Sequence, residues 1–166
     1  MILAFDTHYF EDKAKTVAIQ FEHWTDEFPS HVYEETLEGI QPYESGSFYK
    51  RELPCILSLL KQMDLTKIDA IIVDGFVVLD DEGSLGLGGY LYEALDQKIP
   101  VIGVAKNNFA KIKTLKIPIL RGDSQKPLYI TAKGMNLQQA AAHIQEMHGE
   151  YRFPTLLKEV DRLGRE

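Results

Sequence analysis

Ala70-Ile71-Ile72-Val73-Asp74-Gly75 reads as a buried strand that ends in a carboxylate and a turn. Its β-branched run is closed by glycine, and a strand so apolar belongs inside a sheet. Phe76–Leu79 extends or pairs with it, and Asp80-Asp81-Glu82-Gly83 reads as a turn. Leu85–Leu95 then reads as a helix weakened by Gly86, Gly88 and Gly89, and Pro100–Ala105 as a second buried strand. Strand, helix, strand is βα alternation.

Upstream, Phe48, Leu53, Ile56, Leu57, Leu59 and Leu60 fit one face of a helix over Phe48–Met63. Pro54 must lie in its first turn or kink it. Three strands come before: Ile2–Phe5, ending at Asp6 and followed by a polar turn from His8 to Lys13; Thr16–Phe21; and Ser30–Leu37. Gly39–Gly46 reads as a loop. Downstream, Ile117–Leu120 and Pro127–Thr131 form a hairpin-like pair around Gly122-Asp123-Ser124. Asn136–Met147 is a helix with Asn136 as its N-cap, and Pro154–Leu163 is a last short one. An antiparallel opening meander followed by βα units gives an α/β mixed sheet flanked by helices. We expect a single domain over residues 1–166.

Composition agrees. A chain of 166 residues, 45% hydrophobic and 26% charged, can bury a core without staples. The net charge of −7 argues against a non-specific nucleic-acid coat protein. Cys55 is the sole cysteine, which excludes an intrachain disulfide and fits a reducing compartment. No stretch has the apolar length of a membrane span, and Met1–Asp6 lacks a basic leader, so a cytoplasmic protein with no membrane partner is expected. The charge is unevenly spread. Residues 1–48 hold ten acids against Lys13 and Lys15, a net −8. Residues 106–133 hold Lys106, Lys111, Lys113, Lys116, Arg121, Lys126 and Lys133 against Asp123 alone, a net +6. Such a stripe is a footprint of phosphate contacts, or a solvated edge whose lysines protect exposed strands.

Asp6 and Asp74 each end a buried-looking strand, where α/β sheets bind ligands. Two such acids can hold a hard cation such as Mg²⁺, and Glu52, early in the first helix, can reach the same place. Three converging acids set up metal-assisted hydrolysis of a phosphate ester. Against this stands a plain reading, in which each Asp caps a helix or makes a turn. The histidines His8, His23, His31, His143 and His148 have no metal-ligand spacing and read as surface residues. Gly86, Gly88 and Gly89 do not form a dinucleotide fingerprint; they suit close helix packing or close approach of a nucleic acid.

Several segments, in order, resemble the endonuclease V family. The first strand ends in Asp6, where that family carries its first metal acid. Pro42-Tyr43-Glu44-Ser45-Gly46-Ser47-Phe48-Tyr49-Lys50-Arg51-Glu52 resembles its wedge tyrosine and catalytic glutamate, with the same spacing. Ile72-Val73-Asp74-Gly75 is similar to its Val-Asp-Gly motif, Leu85–Leu91 to its small-residue helix, and Pro100–Lys106 to its strand with an active-site lysine. Lys126–Thr131, Tyr151-Arg152-Phe153-Pro154 and Asp161-Arg162-Leu163 match its C-terminal portion. The resemblance implies a ribonuclease H-like fold, a Mg²⁺- or Mn²⁺-dependent endonuclease, and a DNA or RNA partner cut near a modified, inosine-type base. It also implies roles: Asp6, Glu52 and Asp74 as catalytic and metal-binding acids, and Lys106 as a catalytic lysine at the phosphate. Tyr43 would stack beside a base and Lys133 would bind substrate near a missing family histidine. Each has an ordinary counterpart: a packed loop tyrosine, solvated lysines.

The pattern also departs from the family. The first strand starts at Ile2, where the family has an N-terminal helical extension. Phe76–Asp80 stands in place of a histidine-containing stretch with paired arginines, and Ala132-Lys133-Gly134 in place of Pro-Gly-His. Two functions therefore stay open: the nuclease, and a catalytically impaired nucleic-acid-binding module that keeps the fold.

Overall fold

The computed structural model describes residues 1–39 and 48–166, with Phe48 described in its backbone alone. Among these residues there are seven strands, four α-helices and a 3₁₀ turn at Leu65–Lys67. The strands are β1 (Ile2–Phe10), β2 (Lys13–Phe21), β3 (His31–Leu37), β4 (Ala70–Asp74), β5 (Val101–Ala105), β6 (Ile117–Ile119) and β7 (Leu128–Lys133). The helices are α1 (Phe48–Leu60), α2 (Leu87–Ala94), α3 (Leu137–Glu146) and α4 (Thr155–Arg165). No helix among the described residues is long and apolar enough to cross a membrane.

The strands form one sheet in the order β3-β2-β1-β4-β5-β7-β6. β1, β2 and β3 pair antiparallel, as the meander requires. β1–β4 and β4–β5 are parallel, because α1 and α2 carry the chain back between them. β7 runs antiparallel to both β5 and β6. The central β4 is buried on both faces, which accounts for its unbroken Ala-Ile-Ile-Val run. Alternate side chains feed two cores. Ile2, Ala4, Ile72 and Ile102 pack under α3 and α4, while Leu3, Phe5, Ile71 and Val73 pack under α1 and α2.

Three expectations need correction. β1 does not end at Asp6: it continues to Phe10, and the turn shrinks to Glu11-Asp12, with Glu11 at φ 57°. The reason is the nine-residue ladder with β2, from Ile2–Phe21 to Phe10–Lys13, which makes pairing outweigh local polarity. Phe76–Leu79 is not a strand, and Val78 makes only an isolated bridge to Leu85. Pro54 sits in the second turn of a continuous α1; its exposed position lets water serve the carbonyl that lost its partner. Asn136 does cap α3, accepting from the Gln139 amide at 3.0 Å.

The small residues around Asp74 have a packing purpose. Gly75 takes φ 94°, turning the chain sharply over β5. It can lie there because Gly103 has no side chain: a Cβ at 103 would come 2.6 Å from the Gly75 carbonyl oxygen. A Cβ at Gly88 would likewise meet Val77 at 2.6 Å, so the helix glycines serve close packing.

Candidate active site

Alternation along β1 puts Asp6 and His8 on the same face as Ile2 and Ala4, the face that α4 covers. β4 lies beside β1 with Ile2 level with Ala70 and Ala4 level with Ile72. Two residues further, that register brings Asp6 level with Asp74, the last residue of β4. α4 supplies a third carboxylate. Leu157, Val160, Asp161 and Gly164 fall at i, i+3, i+4 and i+7, one stripe of the helix facing the sheet. The aliphatic members are buried, and Asp161 lies within hydrogen-bonding reach of Asp6. Asp6, Asp74, Asp161, Lys106 and Phe153 together line a cavity of about 30 Å³, room for one ion or one water. Glu52 comes from α1 on the other side of the sheet. It is 5% exposed, and the Thr7 hydroxyl lies near it as a minor counterweight to its burial.

Three of these four carboxyls are pushed up, whereas Asp161 is held below the ordinary carboxylate range: burial would raise it, but its neighbour Asp6 and the charges of Arg165 and Lys106 outweigh that. Burial, the hydrogen bond with Asp161 and the charge of Asp74 raise Asp6 to about 7. Burial and the charges of Asp74 and Asp6 raise Glu52 to about 8. Asp74, exposed at the strand end but crowded on its inner side, is also pushed up by burial, against the pull of Lys106. Lys106, Arg51 and His8 oppose these shifts without cancelling them. The site is short of positive charge, and its oxygen donors suit a hard divalent cation.

Lys106 follows β5, and its ammonium lies 4.6 Å from the centre of the Phe153 ring. Arg152 fixes that loop, donating to the carbonyls of Lys106 and, at 2.8 Å, Pro127. On the other side of Asp74 opens a cleft of about 610 Å³. Its walls include Gly75, Ser84 and two aromatic pairs. Tyr49 stacks on Tyr90 at 3.8 Å, and Phe76 lies 5.9 Å from Phe109.

The sequence profile of endonuclease V matches residues 1–162. The chain belongs to the endonuclease V family. No curated protein matches it in sequence. Among solved structures, human ENDOV is 24% identical, with a TM-score of 0.73 over 99% of this chain and 82% of its own. Endonuclease V from Bacillus subtilis is 20% identical, with a TM-score of 0.76 over 99% and 78%. Endonuclease V from Ciona intestinalis, solved with a 24mer DNA containing an inosine followed by a ribo-adenosine, is 16% identical, with a TM-score of 0.79 over 99% and 84%. The ribonuclease H-like fold implied by the resemblance is the fold observed, and family membership makes the chain a nuclease of the endonuclease V type.

Of the site residues expected for an endonuclease V-like chain, Glu52 feels the charges of Asp74 and Asp6 from across the sheet, and Asp6, Asp74 and Lys106 line one cavity. Lys133 does not. It pairs with Val101 at the start of β5, the opposite end of the sheet, and its ammonium lies 3.6 Å from Glu93. Antiparallel pairing of β7 with β5 places Tyr129, not Lys133, at the site end. Tyr43 lies outside the described residues. The basic stripe is also smaller than its count. Arg121 is buried at 4% exposure and donates to the carbonyls of Met147 and Tyr151, both at 2.6 Å. Lys116 donates to Asn108 and to the Phe109 carbonyl. Lys106, Lys111, Lys113 and Lys126 remain exposed.

Two residues of the site were missed. Asp161 carried a signal: it occupies a core-facing position in the apolar stripe of an amphipathic helix. His8, expected at the surface, is half-buried with Nε2 3.1 Å from Asp6 and 3.3 Å from Asp161. Its place follows from β1 running past Asp6 in its ladder with β2, which pairs His8 with Lys15. His143 is half-buried as well, stacked on Trp24 at 4.4 Å, whereas His23, His31 and His148 are exposed as expected.

Proposed function

We propose that this chain is a divalent-metal-dependent endonuclease that hydrolyses a phosphodiester bond beside an inosine-type base in DNA or RNA. The observation that carries the reading is the convergence of Asp6, Asp74 and Asp161 on an ion-sized cavity, with Lys106 on its wall and an aromatic cleft next to it. The raised carboxyls support a resident cation, Mg²⁺ or Mn²⁺, because only added positive charge lets all of them ionise together. Asp6, Asp74 and Asp161 would hold it. The ion would neutralise phosphate charge and make water a better nucleophile. Glu52 holds its proton near neutral pH in the metal-free protein and would ionise beside a cation, completing the site. Lys106 meets the phosphate as a point charge on a loop that Arg152 holds. The aromatic cleft suits an unstacked base, since base–aromatic stacking is worth about 1–3 kcal/mol. A cytoplasmic role in nucleic-acid repair fits such chemistry and the lone buried Cys55.

The test uses the purified chain with Mg²⁺ or Mn²⁺ and strands of DNA or RNA carrying one inosine. We expect cleavage near the inosine leaving a 3′-hydroxyl and a 5′-phosphate, and its loss in Asp74→Asn. Tight binding of the strands without cleavage under either ion would sink the nuclease reading in favour of an impaired binding module.

A further inference from the structure

We infer that His8 is a direct nitrogen ligand of the divalent ion, sharing it with Asp6 and Asp161, and that this mixed donor set shifts the site's preference from Mg²⁺ toward Mn²⁺. The inference rests on the metal site proposed above and goes beyond it, since it concerns which atoms hold the ion and which ion they select.

Geometry comes first. Nε2 of His8 is 3.1 Å from Asp6 Oδ2 and 3.3 Å from Asp161 Oδ1, and one ligand atom from each residue lies within 4.8 Å of the others. Adjacent ligands at about 2.0–2.2 Å from one ion, at angles between octahedral and tetrahedral, stand roughly 2.8–3.6 Å apart. Both separations fall in that range.

Packing comes second. The imidazole lies against Gly164, where a Cβ would come 2.3 Å from its Cδ2. Gly164 and Asp161 are one turn apart on the same stripe of α4. The helix thus leaves space for the ring with one residue and faces its nitrogen with the other. A side chain 26% exposed and held on both sides is a shaped element of the site rather than a surface histidine.

Chemistry decides the consequence. Mg²⁺ prefers oxygen ligands and retained waters, whereas imidazole raises affinity for the transition-metal ions. The alternative is that His8 only bridges two carboxylates and never touches the ion. The two differ in one observable, a nitrogen bonded to the metal.

The experiment is pulsed electron paramagnetic resonance on the Mn²⁺-loaded protein, with Mn²⁺ and Mg²⁺ titrated by calorimetry. We expect ¹⁴N modulation of an imidazole ligand in the wild type, replaced by a ¹⁵N pattern when histidine is isotopically labelled. This arm needs no substitution, so it survives a variant that folds poorly. In His8→Ser the modulation vanishes, and Mn²⁺ affinity falls roughly ten- to a hundredfold, as on losing metal-site support, while Mg²⁺ affinity changes less than about threefold. Bound Mn²⁺ that is lost in Asp6→Asn but shows no histidine nitrogen coupling overturns this inference alone. A wild-type protein that binds no Mn²⁺ overturns the metal site itself and the inference with it.

Discussion

Arg152 reaches across 46 residues of sequence to hold the backbone carbonyl of Lys106, and so fixes the position of the ammonium that faces Asp74 and Asp161. The same guanidinium donates to Pro127, and the neighbouring Phe153 ring lies beneath the Lys106 ammonium. One short segment before α4 thereby controls a loop after β5.

That arrangement predicts the effect of Arg152→Ala. Two carbonyls lose a charged donor, at a cost of about 1–3 kcal/mol in stability. Cleavage should fall further than stability explains, because Lys106 is no longer held. Arg152→Lys should not restore it, since a point ammonium cannot span two carbonyls as the planar fork does. Urea unfolding alongside single-turnover rates separates the two effects; unchanged rates at full folding would reject the link.

Stability should depend on pH in a direction opposite to that of ordinary salt-bridged acids. Asp6 and Glu52 hold their protons to about 7 and about 8 in the folded protein, well above the unfolded carboxylate range. The folded state binds more protons between those limits, so metal-free stability is fullest below about pH 4 from these groups and falls as pH rises toward 8. A loss of several kcal/mol is expected across that window from the shifted pair, each pH unit of displacement being worth about 1.4 kcal/mol. Saturating Mn²⁺ should abolish the slope. Denaturant midpoints at pH 5 and pH 8, with and without the ion, measure it, and a metal-free midpoint that rises with pH contradicts the picture.

Removing a repelling carboxyl should separate stability from activity. Asp6→Asn deletes the charge but keeps the shape, so the metal-free protein at pH 8 should become more stable. The same change should lower cleavage at least about a hundredfold, some 2.7 kcal/mol of barrier. A variant less stable than the wild type at pH 8 would show that Asp6 is a structural acid.

The basic region should divide into a structural and a binding part. Lys111→Ala with Lys113→Ala should weaken nucleic-acid binding and reduce the slope of log K against log salt by about 1–2. Arg121→Ala should instead unfold the protein, since it orphans the carbonyls that converge on a buried guanidinium. Fluorescence anisotropy over a salt series, read beside thermal unfolding, tells them apart.

The aromatic cleft should contribute to substrate choice. Tyr90→Ala removes one face of the Tyr49–Tyr90 stack, and Phe76→Ala one wall next to Gly75. Each should weaken binding of an inosine-containing strand by about 1–3 kcal/mol and leave a strand without inosine less affected. Equal losses on both strands would show that the cleft does not read the base.

The sequence alone was enough for most of the sheet's strands and for Asp6 and Asp74 as carboxylates after apolar runs, while Glu52 stood out through the resemblance. These depend on local rules: β-branched runs make strands, period-3.6 stripes make helices, and a carboxylate closing an apolar run stands out. The motifs around them, in order, carried the family. It could not place what depends on pairing and packing between distant segments. The ladder with β2 carried β1 past Asp6 and turned His8 from a turn residue into a site residue. Antiparallel pairing sent Lys133 to the far end of β7, and burial converted Arg121 from a phosphate contact into an internal brace. Asp161 joined the acids only because α4 docks against β1 and leaves room for a ring at Gly164. Local preference is written residue by residue, but register and docking are settled by the contacts of the whole fold.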